Sequence, residues 1–294
     1  MKGHSMAGKP VKHPRADQAL VEQALARSRE EARQLILMGA VRAGEQVISR
    51  PGQRIDPGVR LEVAGPRNPY VSRGGLKLQR VLEEVPVPVE GAVCMDVGAS
   101  TGGFTDCLLR HGARKVYAVD VGYGQLAWKL RNDPRVVVLE RTNIRYLPPE
   151  RIGEPLDVIT VDTSFISVTL FLAKLRAMLR PEGWAVVLVK PQFEAGRAQV
   201  KRGGVVKDPG VHRQVLEKVA SSAVEAGFRV EAVLRSPLLG PKGNLEFFEV
   251  LRPLASRGSA GVATGAATVD AMIERALAEP APRQEEAGQP RSGS

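Results

Sequence analysis

Apolar positions along this chain follow two rhythms. Between residues 93 and 251, short apolar runs alternate with stretches whose apolar residues fall three or four apart. The runs lie near 93–97, 115–119, 135–139, 156–161 and 184–189 and predict strands. The stretches near 104–111, 124–131 and 167–180 predict helices. Such alternation specifies a parallel sheet covered by helices on both faces. A further helix over about 211–226 leads to strands near 230–235 and 245–251, and 72–84 reads as a helix entering the first strand, with Leu76, Leu78, Val81 and Leu82 available to pack.

The front of the chain has a different pattern. Residues 1–14 are basic and lack apolar periodicity, which predicts a flexible arm. From Arg15, Leu20, Val21, Ala24 and Leu25 recur at helical spacing. Ser28 to Glu31 then reads as a capping box opening a second helix, whose apolar face is Ala32, Leu35 and Ile36. Gly39 ends that helix. Val41, Val47, Ile55, Val59, Leu61 and Val63 belong to short strands separated by turns such as Arg50-Pro51-Gly52. Residues 15–63 therefore read as a small α+β domain, 64–70 as a stiff linker with two prolines, and 71–252 as the α/β domain. Residues 253–294, rich in Ala, Gly, Ser and Pro, read as a disordered tail in which Val269 to Leu277 can form one helical stretch.

Charge sharpens this division. The chain of 294 residues carries a net charge of +10, and its first eighty residues hold fifteen Lys and Arg against seven Asp and Glu. A concentrated positive front is the footprint of a polyanion partner, because each neutralised phosphate releases condensed counterions. No run of eighteen apolar residues exists, and the first fifteen residues have no apolar segment suited to a signal peptide. Nor is there a strongly amphipathic basic helix, so a membrane-lytic role is excluded and a cytoplasmic location is expected. Cys94 and Cys107 form no metal or redox spacing and are expected to be buried thiols.

The candidate chemistry begins at Val93 to Phe104, VCMDVGASTGGF. An apolar run carrying Asp96 ends in a loop with glycines at 98, 102 and 103, which let backbone amides approach a ligand before a helix begins near Phe104. Asp120, at the end of the next apolar run, is placed to accept both hydroxyls of a ribose, which points to a nucleoside ligand. The loop is neither G-x-G-x-x-G nor a phosphate loop ending in Gly-Lys-Ser/Thr, so dinucleotide and triphosphate readings weaken. Asp162 and Lys190 each follow an apolar run and so fall at the same sheet edge as this loop. Glu246 shares a strand face with Phe248 and Val250. Buried charges must be paired, so these residues read either as a structural salt-bridge set or as catalytic groups. Lys77, on its helix, gives no comparable anomaly.

Three resemblances extend this reading. The loop, with acids at 96 and 120, resembles the cofactor loop of S-adenosylmethionine-dependent methyltransferases. That implies S-adenosyl-L-methionine as cofactor, bound by Asp96, Gly98, Ser100, Gly102, Gly103, Phe104 and Asp120, with no metal. The stretch RADQALVEQALARSREEARQLILMGAVRAGEQV resembles the S4-type RNA-binding domain, with Arg42-Ala43-Gly44 at its usual V-N-G turn. The family's basic helix pair would map to Arg15, Arg27, Arg29, Arg33 and Arg42. Lys77 in SRGGLKL, Asp162 in VDTSFIS, Lys190 in LVKPQFE and Glu246 in GNLEFF resemble, in order, the Lys-Asp-Lys-Glu tetrad of FtsJ-like ribose 2'-O-methyltransferases. The pairing with an S4-type domain is closest to the haemolysin-A/TlyA family. The implied fold is a Rossmann-like methyltransferase domain with a mostly parallel seven-stranded sheet. The implied activity is cytidine ribose methylation of ribosomal RNA or ribosomal subunits, with Lys190 as candidate base or as a charged stabiliser of the developing alkoxide.

Overall fold

The computed structural model describes residues 13–37, 39–63, 68–196, 199–200, 203–254 and 266–282. The chain divides into two compact units between Arg73 and Gly74.

The first unit builds on helices α1 (Ala16–Glu22) and α2 (Arg29–Leu37) and on strands β1 (Val41–Ala43), β2 (Gln46–Val47) and β3 (Leu61–Val63), paired antiparallel in the order β2-β1-β3. Ser28 caps α2 as expected: its Oγ accepts from Glu31 N at 3.2 Å. The return bond differs, since the Glu31 carboxylate accepts from Arg27 N instead of from the cap residue itself. Gly44 turns β1 into β2 at φ +61°, a conformation that costs glycine nothing. Leu20, Ile36, Ile48 and Leu61 form a small core with almost no exposure.

The second unit opens with α3 (Gly74–Glu84), followed by β4 (Val93–Val97), α4 (Gly103–Arg110), β5 (Lys115–Val119), α5 (Trp128–Arg131), β6 (Val136–Leu139) and β7 (Leu156–Val161). It continues through α6 (Leu172–Met178), β8 (Leu179–Val189), α7 (Pro191–Glu194), α8 (Pro209–Glu225), β9 (Phe228–Arg235) and β10 (Phe247–Pro253). The seven strands pair in the order β6-β5-β4-β7-β8-β10-β9, all parallel except β10, which runs antiparallel to both neighbours. The first strand is central, and the chain steps outward to β6 before crossing back to β7. This reversal opens a crevice at the carboxyl ends of β4 and β7, where ligands of such sheets bind.

Three expectations need correction. The helix expected over 124–131 is only α5, because Gly122 and Gly124 keep the preceding residues in a loop, with Gly124 at φ +70°. The single helix expected over 167–180 is a short turn at Val168–Leu170, then α6, and residues 179–180 already belong to β8. The helical stretch allowed in the tail at Val269 to Leu277 is longer than that, α9 (Ala266–Ala278), which buries Ile273 and Ala276 completely. Residues 1–12, 64–67, 255–265 and 283–294, which hold most of the expected arm, the linker and the rest of the tail, lie outside the described residues. Among the described residues no helix is long and apolar enough to cross a membrane, and no group of His, Cys, Asp and Glu could hold a metal ion. Cys94 and Cys107 are buried.

Candidate active site

Parallel strands deliver their carboxyl ends to one edge, so the loop after β4, Asp120 after β5, Asp162 after β7 and Lys190 after β8 meet there. Because β10 is antiparallel, its beginning lies at that edge, and Glu246 stands one residue before it. The sheet topology thus gathers residues spread over some 150 positions of sequence.

Three of them, with Lys77 of α3, form two ion pairs. Lys190 Nζ lies 2.6 Å from Asp162 Oδ1, and Lys77 Nζ lies 2.6 Å from Glu246 Oε2. Lys190 also donates to Ser164 Oγ at 3.0 Å. Burial would raise the pKa of Asp162, but the charges of Lys190 and Lys77 outweigh it and hold the carboxyl below its ordinary value. That both lysines act on one carboxylate makes the two pairs a single electrostatic unit. Glu246 is buried, and its Oε1 has no hydrogen-bond partner among the described residues. Gly240 leaves it room, since a Cβ there would stand 2.0 Å from that oxygen.

The glycine loop is locked to the same cluster. Gly98 has φ +84°, and a Cβ on it would stand 2.5 Å from the carbonyl oxygen of Asp162, so any other side chain would push the two loops apart. Gly102, at φ +94°, precedes α4, where its missing side chain admits Leu130 of α5. Asp120 holds the open side: its Oδ2 accepts from Ser100 N at 2.8 Å and its Oδ1 from Gly122 N at 2.7 Å. Ser100 is exposed at φ +48°, with its hydroxyl on Gln125. Ionised carboxylates accept about four bonds, so Asp120 retains lone pairs for a diol.

Not every residue of the expected cofactor set faces this opening. Asp96 is buried, and its Oδ2 accepts from Thr105 N at 2.9 Å and Thr105 Oγ1 at 2.7 Å, so it braces the loop from below. Phe104 is buried against Phe248, with ring centroids 6.2 Å apart, and Gly103 begins α4 inside the core. These three shape the loop without lining its mouth.

The same sheet edge carries an aromatic pair that the sequence pattern does not single out. Phe165 is 89% exposed at φ +66°, a strained conformation for a bulky residue, and stacks on Phe193 of α7 at 4.9 Å between centroids. Lys190 Nζ lies 6.0 Å from the Phe193 ring. The available signal was a phenylalanine between Asp162 and Ser167, in a stretch with no strand or helix to bury it.

In the N-terminal unit, Arg27 and Arg33 are exposed and Arg42 is partly buried on β1, while Arg15 and Arg29 converge on Asp17.

Comparison with known proteins agrees with this geometry. Residues 70–252 match the FtsJ-like methyltransferase family, and residues 14–61 match the S4 domain. The chain belongs to the FtsJ-like methyltransferase family. It is 45% identical to the 16S/23S rRNA (cytidine-2'-O)-methyltransferase TlyA of Mycobacterium tuberculosis over 92% of this chain and 99% of that protein. Hemolysin A of Brachyspira hyodysenteriae is 39% identical over 79% of this chain and 97% of its own. A solved structure from Streptococcus thermophilus, 39% identical, aligns with a TM-score of 0.69 over 90% of this chain and 96% of its own. This family membership makes the chain a methyltransferase.

Proposed function

We propose that this methyltransferase transfers the methyl group of S-adenosyl-L-methionine to a cytidine ribose 2'-hydroxyl of ribosomal RNA, with the N-terminal S4 domain docking the RNA. The observation that carries the reading is the joining of Lys190–Asp162 and Lys77–Glu246 at the sheet edge beside the Gly98 loop. The name of the M. tuberculosis relative supports the cytidine and the 2'-oxygen.

The residues fit the cofactor. Asp120 presents its carboxylate where a ribose diol would lie, and the exposed Val121 and Tyr123 follow it as apolar surface for an adenine. When bound, the cofactor supplies a methyl carbon made electrophilic by its sulfonium. This chain has to align a hydroxyl with that carbon and manage its proton.

Lys190 Nζ, confined by Asp162 and Ser164, is placed to take the proton of the 2'-hydroxyl as its oxygen bonds to the methyl carbon. Lys77 and Glu246 act as orienting groups beside it. Phe165 offers a ring on which the target base can stack once it leaves its own helix. A second reading draws on the 2.6 Å Lys190–Asp162 contact, which favours the ammonium: Lys190 then stays charged and stabilises the developing alkoxide.

Single-turnover methyl transfer to ribosomal RNA separates these roles. Lys190→Ala should lower the rate by orders of magnitude with little change in cofactor or RNA affinity. Lys190→Arg keeps the charge and cannot be deprotonated, so a base role predicts comparable loss and an electrostatic role partial survival. Wild-type rates in both variants would remove Lys190 from the chemistry.

A further inference from the structure

Asp17, the second residue of α1, is fully buried, yet it is ringed by cations that are not. Its Oδ1 accepts from Arg15 Nε at 3.0 Å, and its Oδ2 accepts from Arg15 Nη2 at 3.1 Å and Arg29 Nη2 at 3.0 Å. Burial alone would raise its pKa, but the two arginines hold the carboxyl below its ordinary value, so it is an anion at neutral pH. The arginine side chains are 41% and 57% exposed.

Arg15 is the N-cap of α1 and Arg29 the first residue of α2, so both cations sit at the positive ends of helix dipoles, where acids are favoured. Arg15 alone reaches both oxygens of Asp17, and Arg29 adds a third donor to the same carboxylate. Each guanidinium carries five N–H donors, of which Asp17 takes two from Arg15 and one from Arg29. Neither head group makes a further hydrogen bond among the described residues. Arg15 is fixed from behind as well, for a Cβ on Gly52 would stand 3.3 Å from its Nη1. The turn carrying Gly52 is pinned to α1 by Ala16 N to Gln53 O and Asp17 N to Pro51 O, at 2.7 and 3.0 Å. One buried carboxylate thus orients two partly exposed forks and leaves donors of each unused.

We propose that Asp17 is a positioning residue for a phosphate-binding site formed by Arg15 and Arg29, and that its ligand is a phosphodiester of the RNA backbone. This rests on the reading that the S4 domain docks RNA. A pre-oriented guanidinium loses less rotamer freedom when it engages phosphate, so the acid strengthens binding to a polyanion despite its own negative charge.

That sign makes the proposal testable on the full chain, by titrating ribosomal RNA across a range of salt concentrations. Asp17→Asn raises the net charge by one, so simple electrostatics predicts tighter binding. The proposal predicts binding weaker by about tenfold, with the slope of log affinity against log salt reduced by roughly one. Arg15→Ala and Arg29→Ala should each weaken binding, and neither should add its full effect to that of Asp17→Asn. If both arginine variants bind weakly while Asp17→Asn binds as well as wild type or better, positioning is overturned and RNA docking by this domain stands. If none of the three changes binding, the phosphate site itself is overturned, and docking by the domain is then decided separately by removal of residues 1–63. Should Asp17→Asn unfold the unit in a thermal melt, Arg15→Lys decides. It keeps the charge without the fork, so the proposal requires a loss close to that of Arg15→Ala, and wild-type affinity would overturn it.

Discussion

At the scale of single residues, Asp96 combines a loop brace with a pH response. Burial pushes its pKa up to about 7, partly offset by the two bonds from Thr105. In the unfolded chain it titrates near 3.8, so between these values the folded state binds the extra proton. Its contribution to stability is therefore fully present below about pH 4 and is lost as pH rises through about 7. Glu249, fully buried on β10 and raised by burial and by the nearby Glu194, pushes stability in the same direction. A paired comparison isolates Asp96. Asp96→Asn cannot titrate, so its stability relative to wild type should rise between pH 4 and 7 and level off above. Denaturant melts across that range check this, and a constant difference would mean Asp96 is ionised throughout. In the sequence Asp96, Asp162 and Lys190 were conspicuous because each interrupts or ends an apolar run. Lys77 was not: on an amphipathic helix a lysine looks solvated, and only the fold brings it to Glu246, 169 positions away.

At the scale of elements, the central strands were legible because both faces are buried, which writes a continuous apolar run into the chain. Such runs could have come from no other part of this fold. The short helices were less so, since α7 has four residues and α5 follows a glycine-rich loop, leaving no room for a 3.6-residue period to repeat. The case of α9 is different. Its alanine-rich sequence resembles the tail around it, and what fixes it is tertiary. Ile273 and Ala276 are buried in the main core, and Arg235, itself buried at the end of β9, donates to the carbonyls of Ala276 (3.0 Å) and Leu277 at the helix C-terminus. A cation there complements the helix dipole and satisfies two orphan carbonyls. Arg235→Met keeps the apolar stem and removes both bonds, which costs about 1–3 kcal/mol in a buried setting. Amide exchange in residues 270–278 should quicken by about tenfold or more, while that of β4 and β7 stays slow. Unchanged protection in the helix would show that its apolar contacts suffice without the cap.

At the scale of the whole molecule, charge and chemistry are divided between the units. The first eighty residues carry fifteen of the chain's 42 Lys and Arg and only seven of its 32 Asp and Glu, whereas the Lys190–Asp162 and Lys77–Glu246 pairs and the glycine loop belong to the second unit. Each unit has a core of its own, around Leu20 and Ile36 in one and through Met95, Ile159 and Val187 on one face of the seven-stranded sheet in the other. Removal of residues 1–63 should therefore leave a folded domain that still binds S-adenosyl-L-methionine, because Asp120 and the Gly98 loop both belong to the second unit. Its affinity for ribosomal RNA should fall, and the fall should be largest at low salt, where counterion release by the basic front contributes most. Calorimetry with the cofactor and salt-dependent RNA titrations of full-length and shortened chains measure both quantities. Equal RNA affinity at every salt concentration would assign docking to the catalytic unit. Loss of cofactor binding in a shortened chain that still melts cooperatively would instead make the front part of the cofactor site.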